Sequence, residues 1–154
     1  MDFDITVVGI IILLTIVIPV SYIIILSAGK AKKARNAIVS LAKEAGISPE
    51  KIEVIGNLIL ALDRNNKKLM YSYKDNLEKH FKVIPLSDLR GAQGRSRKNP
   101  DGSIAWVGLE LVGKTGNSEI TFYRDDTDDE TSRDPLVCLQ DTKRWETEIL
   151  PLVG

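Results

Sequence analysis

The chain holds one cysteine and one histidine in 154 residues, and from Ile5 to Ser27 it holds no charged residue. Each scarcity excludes something. With Cys138 alone no intrachain disulfide forms, so the chain is no disulfide scaffold, and this usage fits a reducing compartment. Cys138 has no second thiol and no obvious histidine partner, and reads as a buried small hydrophobe. His80, between Lys79 and Phe81, reads as a surface or strand-end residue. The sequence shows no metal-ligand spacing, no Ser-His-Asp arrangement and no carboxylate pair set apart for acid–base work. The expectation is a non-enzymatic protein with no catalytic residue, no cofactor, no metal and no evident small-molecule substrate. A composition of 44% hydrophobic and 27% charged residues also excludes a disordered or collagen-like chain.

Net charge is zero, but as an average over unlike pieces: residues 1–29 carry −2, residues 30–124 carry +8 and residues 125–154 carry −6. The uncharged run Ile5–Ser27, nine of whose positions are isoleucine, is long enough as a helix to cross roughly 30 Å of hydrocarbon at about 1.5 Å per residue. Pro19 is tolerated in a membrane helix, where neighbours or local adjustment satisfy the freed carbonyl. Residues 1–29 therefore read as a transmembrane anchor. The rivals are a signal peptide cleaved near Ser27-Ala28-Gly29, giving a secreted β protein, and a buried core helix. The acidic start, Asp2 and Asp4, and the length of the run weigh against a signal peptide. Lys30, Lys32, Lys33 and Arg35 follow at once, and cations at the end of a span favour the cytoplasmic side. That puts the N-terminus outside and residues 30–154 in the cytoplasm.

Residues 30–48 read as an amphipathic juxtamembrane helix and spacer. Ala31, Ala34, Ile38, Leu41, Ala42 and Ala45 fall on one stripe, and Gly46 is its stop. The stripe is narrow and rich in alanine, so light packing on a neighbour is expected. After Pro49 the period drops to two, and residues 49–154 read as a β domain with a C-terminal helix. Leu58 to Leu62 and Leu69 to Tyr73 flank the turn Arg64-Asn65-Asn66-Lys67, where asparagine tolerates the left-handed region. Phe81–Ile84 is a further strand. Residues 88–98 and 103–112 form a hairpin about Asn99-Pro100-Asp101-Gly102, and Ile120–Tyr123 follows another turn. The strand count is six, or seven if Gly56 breaks the first strand. Asp134 caps a last helix with Pro135 at its first position, Cys138, Trp145 and Ile149 share a face, and Pro151 ends it.

The stretches Leu60-Ala61-Leu62-Asp63 with Lys68-Leu69, then Val83-Ile84-Pro85-Leu86-Ser87-Asp88-Leu89, then a late helix centred on Trp145, resemble the bacterial pleckstrin-homology-like (PH-like) domain. The resemblance covers about 100 residues from Lys51 onward, and rests on element order and loose motifs. It implies an antiparallel sheet or partly open barrel closed by the C-terminal helix, with the tryptophan as plug. It also implies a membrane-tethered adaptor or binding module, with no shared catalytic set to carry over. The charged run Arg95-Ser96-Arg97-Lys98 inside a strand belongs at a sheet edge rather than its centre.

Candidate contacts for an anionic partner or lipid headgroups are Lys30, Lys32, Lys33 and Arg35 beside the span, and Arg64, Lys67, Lys68, Arg95, Arg97 and Lys98 near the turns. In a barrel the two turn clusters would share one rim. The expected partners are the bilayer and a protein at the membrane, with an enzyme complex's accessory subunit as the alternative. Nucleic acid is not expected, since the chain lacks a recognition helix and strong overall basicity. Gly108–Thr115 spells the P-loop pattern G-x-x-x-x-G-K-T, but its residues alternate as a strand, so its amides belong to a ladder. The acidic run from Asp125 to Glu130 lacks the glycine and distal glutamate of a calcium loop and reads as a solvated loop. Tyr71, Tyr73 and Trp106 read as sheet packing rather than as a ligand-facing cluster.

Overall fold

The computed structural model describes residues 5–126 and 133–154, so most of the acidic run from Asp125 to Glu130 lies outside the described residues. The chain divides into two compact units between Lys33 and Ala34.

The first unit is helical. Helix α1 (Ile5–Glu44) includes Pro19, and every side chain from Val7 to Ile25 is exposed. The helix is long and apolar enough to cross a membrane, as a single-pass anchor or a signal sequence. The Thr15 hydroxyl donates to the Ile11 carbonyl one turn back at 2.7 Å, so that hydroxyl has a partner within the helix.

The second unit begins inside the same helix. Ala34, Ile38 and Ala42 are buried, at helical spacing on one face. Ile47 joins them after Gly46 ends the helix at φ +69°, the left-handed conformation that favours glycine. The expected spacer over residues 30–48 thus divides at Ala34, and from there the helix is a layer of the folded unit. Ala45, assigned to the stripe, is exposed.

Among the described residues, seven strands form two antiparallel sheets and no closed barrel. The first sheet, in order β1-β2-β3-β4, comprises β1 (Lys51–Ile55), β2 (Leu58–Asp63), β3 (Lys68–Tyr73) and β4 (Lys82–Pro85). The second, in order β5-β6-β7, comprises β5 (Leu89–Lys98), β6 (Ile104–Gly113) and β7 (Asn117–Arg124). Gly56, at φ +57°, does break the first strand. A short helix α2 (Leu77–His80), capped by Asn76, precedes β4, and α3 (Pro135–Ile149) follows the sheets.

The first sheet buries both faces. Leu58, Leu60, Leu62, Leu69 and Tyr71 look inward to a core with Leu109, Leu111 and Ile120 of the second sheet and Cys138, Trp145 and Ile149 of α3. Ile59, Ala61 and Met70 look outward, onto Ala34, Ile38 and Ala42 of α1. A strand covered on both sides reads as an unbroken apolar run, which is why Leu58–Leu62 shows little alternation.

Helix α3 is seated as its sequence requires. Asp134 accepts from the Leu136 amide at 2.7 Å, and Cys138, Thr142, Trp145 and Ile149 are its buried residues. The buried Thr142 hydroxyl donates to the Cys138 carbonyl one turn back, at 2.7 Å. Leu136, in the first turn of the helix, is 60% exposed. On β5, Gly94 leaves room for the helix: a Cβ there would lie 2.8 Å from Thr142 Cγ2. The Gly94 amide instead donates to Glu146 Oε2 at 2.7 Å, so the helix satisfies a backbone group of an edge strand.

Candidate functional site: two sets of cations

The ten candidate cations fall into groups with opposite surroundings. Lys30, Lys32, Lys33 and Arg35 are exposed on α1, and among the described residues none has a carboxylate within ion-pair distance. The sheet cations are mostly engaged. Arg95 Nε lies 3.1 Å from Glu110 Oε2, and Arg97 pairs with both Glu110 and Glu119. The hydrogen bond to Glu119 leads the causes that raise the Arg97 pKa. The Arg97 guanidinium also sits 4.3 Å from the ring centre of Trp106, a cation–π contact.

Arg64, at the β2–β3 turn, reaches α3 instead, with Nη2 3.2 Å from Glu148 Oε2. Lys67 adopts φ +51° and its ammonium lies 3.4 Å from the Gly154 carbonyl. This lysine, not an asparagine, takes the left-handed position. Asn66 is held by Asp63, which accepts from its amide at 3.0 Å and its side chain at 2.7 Å. Burial pushes the Asp63 carboxyl up, but those two bonds, a Ser48 backbone bond and the Lys68 charge outweigh it and hold the pKa low. Lys68 is half-buried opposite Asp63 in the ladder. Lys98 is exposed and has no ionic partner among the described residues.

The two turn clusters do not share a rim. The Lys67 carbonyl accepts from the Leu86 amide at 2.8 Å, three residues before β5 begins at Leu89. Lys98 ends that strand, up to about 30 Å away at 3.3 Å per residue. The strand carrying Arg95 and Arg97 is an edge strand, as its charges require.

The remaining candidates have structural roles. Tyr71 and Tyr73 meet edge to face at 6.0 Å, Tyr73 meets His80 at 5.8 Å, and the Tyr73 hydroxyl accepts from the Thr121 amide at 3.0 Å. Trp106 belongs to the other sheet, and its indole N–H donates to Thr121 Oγ1 at 3.1 Å. Its ring lies across Gly108, where a Cβ would come within 2.2 Å of it. Gly108 through Val112 pair with β5 and β7 on both sides, so the P-loop letters spell a central strand. Cys138 is buried, and burial leads the causes that push its thiol pKa up. Among the described residues no group of three metal-ligating side chains converges.

The sequence reading passed over the carboxylates that engage these cations. Glu53 of β1 accepts from the Trp145 indole N–H at 3.1 Å and from Arg144 at 2.5 Å. Lys51, two residues earlier, pairs with Glu148 and lies 4.9 Å from the centre of the Trp145 ring. The signal was the alternation Lys51-Ile52-Glu53-Val54-Ile55, which puts two charges on the inward face of an edge strand. No family model, curated protein or solved structure matches the chain.

Proposed function

We propose that the protein is a single-pass, membrane-tethered, non-enzymatic binding module whose PH-like domain works at the cytoplasmic face of a bacterial inner membrane on a protein partner. The observation that carries this reading is the helix that is apolar and exposed on every side from Val7 to Ile25 and is followed by cations with no ionic partner among the described residues. Such a side-chain surface is stable in hydrocarbon and costly in water, and the cations favour retention of that end in the cytoplasm. Four strands, three strands and a closing tryptophan-bearing helix, in that order, support the PH-like reading. A binding role is further supported by what the polar groups do, since Glu53, Glu146 and Glu148 are committed to seating α3. Tethering confines the domain to the membrane plane and raises its effective concentration toward partners there.

Two measurements on the full chain test this. A C-terminal fluorescent-protein fusion should fluoresce in the membrane fraction, while an alkaline phosphatase fusion at the same site stays inactive. The intact mass of the membrane-extracted protein should include residues 2–29. A mature protein beginning near Lys30, with an active phosphatase fusion, would mean a secreted β protein instead.

A further inference from the structure

The reading above leaves the exposed lysines of α1 without a role beyond orientation, and their geometry gives them one. At about 100° per residue, Lys32 and Lys33 stand about 200° and 300° around the helix from Lys30. They form a partial collar that spans about 160° of the helix circumference. All three are exposed, and among the described residues none has an ionic partner. Along the axis the collar is only about 4.5 Å deep, and it starts about 4.5 Å beyond Ser27, where the uncharged run ends. A headgroup layer is about 5–8 Å thick on each side of the hydrocarbon. The collar therefore matches one headgroup layer in depth.

From this, and resting on the membrane-anchor reading, we infer that Lys30, Lys32 and Lys33 bind anionic phospholipid headgroups and enrich them beside the helix. At that depth the lysines stand within the headgroup layer, which meets all three, whereas a folded acidic protein would first have to displace that layer. Lysine suits the task, because its ammonium is a compact charge on a flexible stem and adapts to mobile phosphates without a fixed fork geometry. Arg35 and Lys43 remain to orient the helix when the three lysines are changed.

The test uses the full-length protein reconstituted in phosphatidylcholine vesicles with a minor share of phosphatidylglycerol. Spin-labelled forms of each lipid report, by electron paramagnetic resonance, the motionally restricted shell at the protein. Wild type should prefer phosphatidylglycerol over phosphatidylcholine by at least about fivefold at low salt, the factor one surface cation supplies. The preference should fall as salt is raised. The triple variant K30Q/K32Q/K33Q should keep the restricted shell and lose the preference. A wild-type shell without preference, or a preference that survives the triple variant, overturns the inference and leaves the anchor intact. No restricted shell at all, with an intact mass that lacks residues 2–29, overturns the anchor and the inference together.

Discussion

Two helices close the folded unit, and they do it by different chemistry. The end of α1 covers the outer face of the first sheet with Ala34, Ile38 and Ala42, and no ionic anchor holds those turns among the described residues. Helix α3 fills the inner core with Cys138, Trp145 and Ile149, and is also tied by polar groups: Trp145 and Arg144 to Glu53, Glu148 to Lys51 and Arg64, Glu146 to the Gly94 amide. The difference follows from what each helix meets. A continuous outer sheet face asks only for apolar cover, whereas α3 packs on β5 and β6 and its side chains reach β1, so the inward charges of β1 and the Gly94 amide of the edge strand β5 find partners on it. One helix is held by shape alone, and the other by shape plus a directional polar frame.

The largest test of this contrast removes the apolar anchor of each helix in turn. Trp145→Ala should cost about 3–5 kcal/mol, the range for deleting a buried tryptophan, because it empties the core and leaves Glu53 without its indole donor. Ile38→Ala should cost about 2–4 kcal/mol. Equilibrium unfolding of the full chain in detergent checks the order. Hydrogen exchange separates the modes: Ile38→Ala should expose amides of residues 34–44 while α3 stays protected, and Trp145→Ala should loosen both sheets. Loss of protection throughout in both variants would show that the two helices are not independent covers.

Acid should distinguish the helices as well, since only α3 is seated by carboxylates. Burial pushes the Glu146 pKa up, but the Gly94 amide, the Lys143 hydrogen bond and the Lys143 charge outweigh it and hold the pKa below the ordinary value. The folded state therefore binds that proton less tightly than the unfolded chain. The resulting stability is fully present above the ordinary glutamate range near pH ~4.3 and is lost as pH falls through the folded value. Exchange in α3 and at Gly94 should rise over that window while residues 34–44 stay protected. Glu146→Gln should remove its share of the pH dependence. An unchanged profile in that variant would assign the acid sensitivity to Asp63 and Asp101, whose pKa values are also lowered.

These contrasts were only half legible in the sequence. Six strands, with a seventh if Gly56 breaks the first, the turn at Gly102, the Asp134 cap and the buried face of α3 follow from local rules, because each depends on residues within a few positions. The edge position of β5 was legible for the same reason, since Arg95, Arg97 and Lys98 exclude a centre. The cover by α1 was not read, although Ile52, Val54, Ile59, Ala61 and Met70 asked for an outer partner. A narrow alanine stripe looks like a weak helix face until a flat sheet surface meets it. The ion pairs were illegible for a different reason: Arg97 meets Glu119 at a separation of 22 residues, and Arg64 meets Glu148 at 84. Charge count places cations on a surface, whereas only register and helix docking decide which of them find a carboxylate.

The smallest expected effect bears on the polar frame itself. Arg64 is about half exposed, and its side chain reaches both Glu148 at 3.2 Å and Glu50 at 3.9 Å. An exposed pair of this kind contributes under about 1 kcal/mol, because water screens the charges and two long side chains lose freedom. Glu148 also retains Lys51 when Arg64 is gone, so no carboxylate is left buried and unpaired. Arg64→Gln should therefore shift the unfolding midpoint only slightly, and the shift should vanish in high salt. A loss as large as that from Ile38→Ala would mean that the polar frame, rather than Trp145, holds α3. The contrast between the two helices would then be one of ion pairs against apolar cover. Thermal unfolding of wild type and variant at two salt concentrations reads the difference directly.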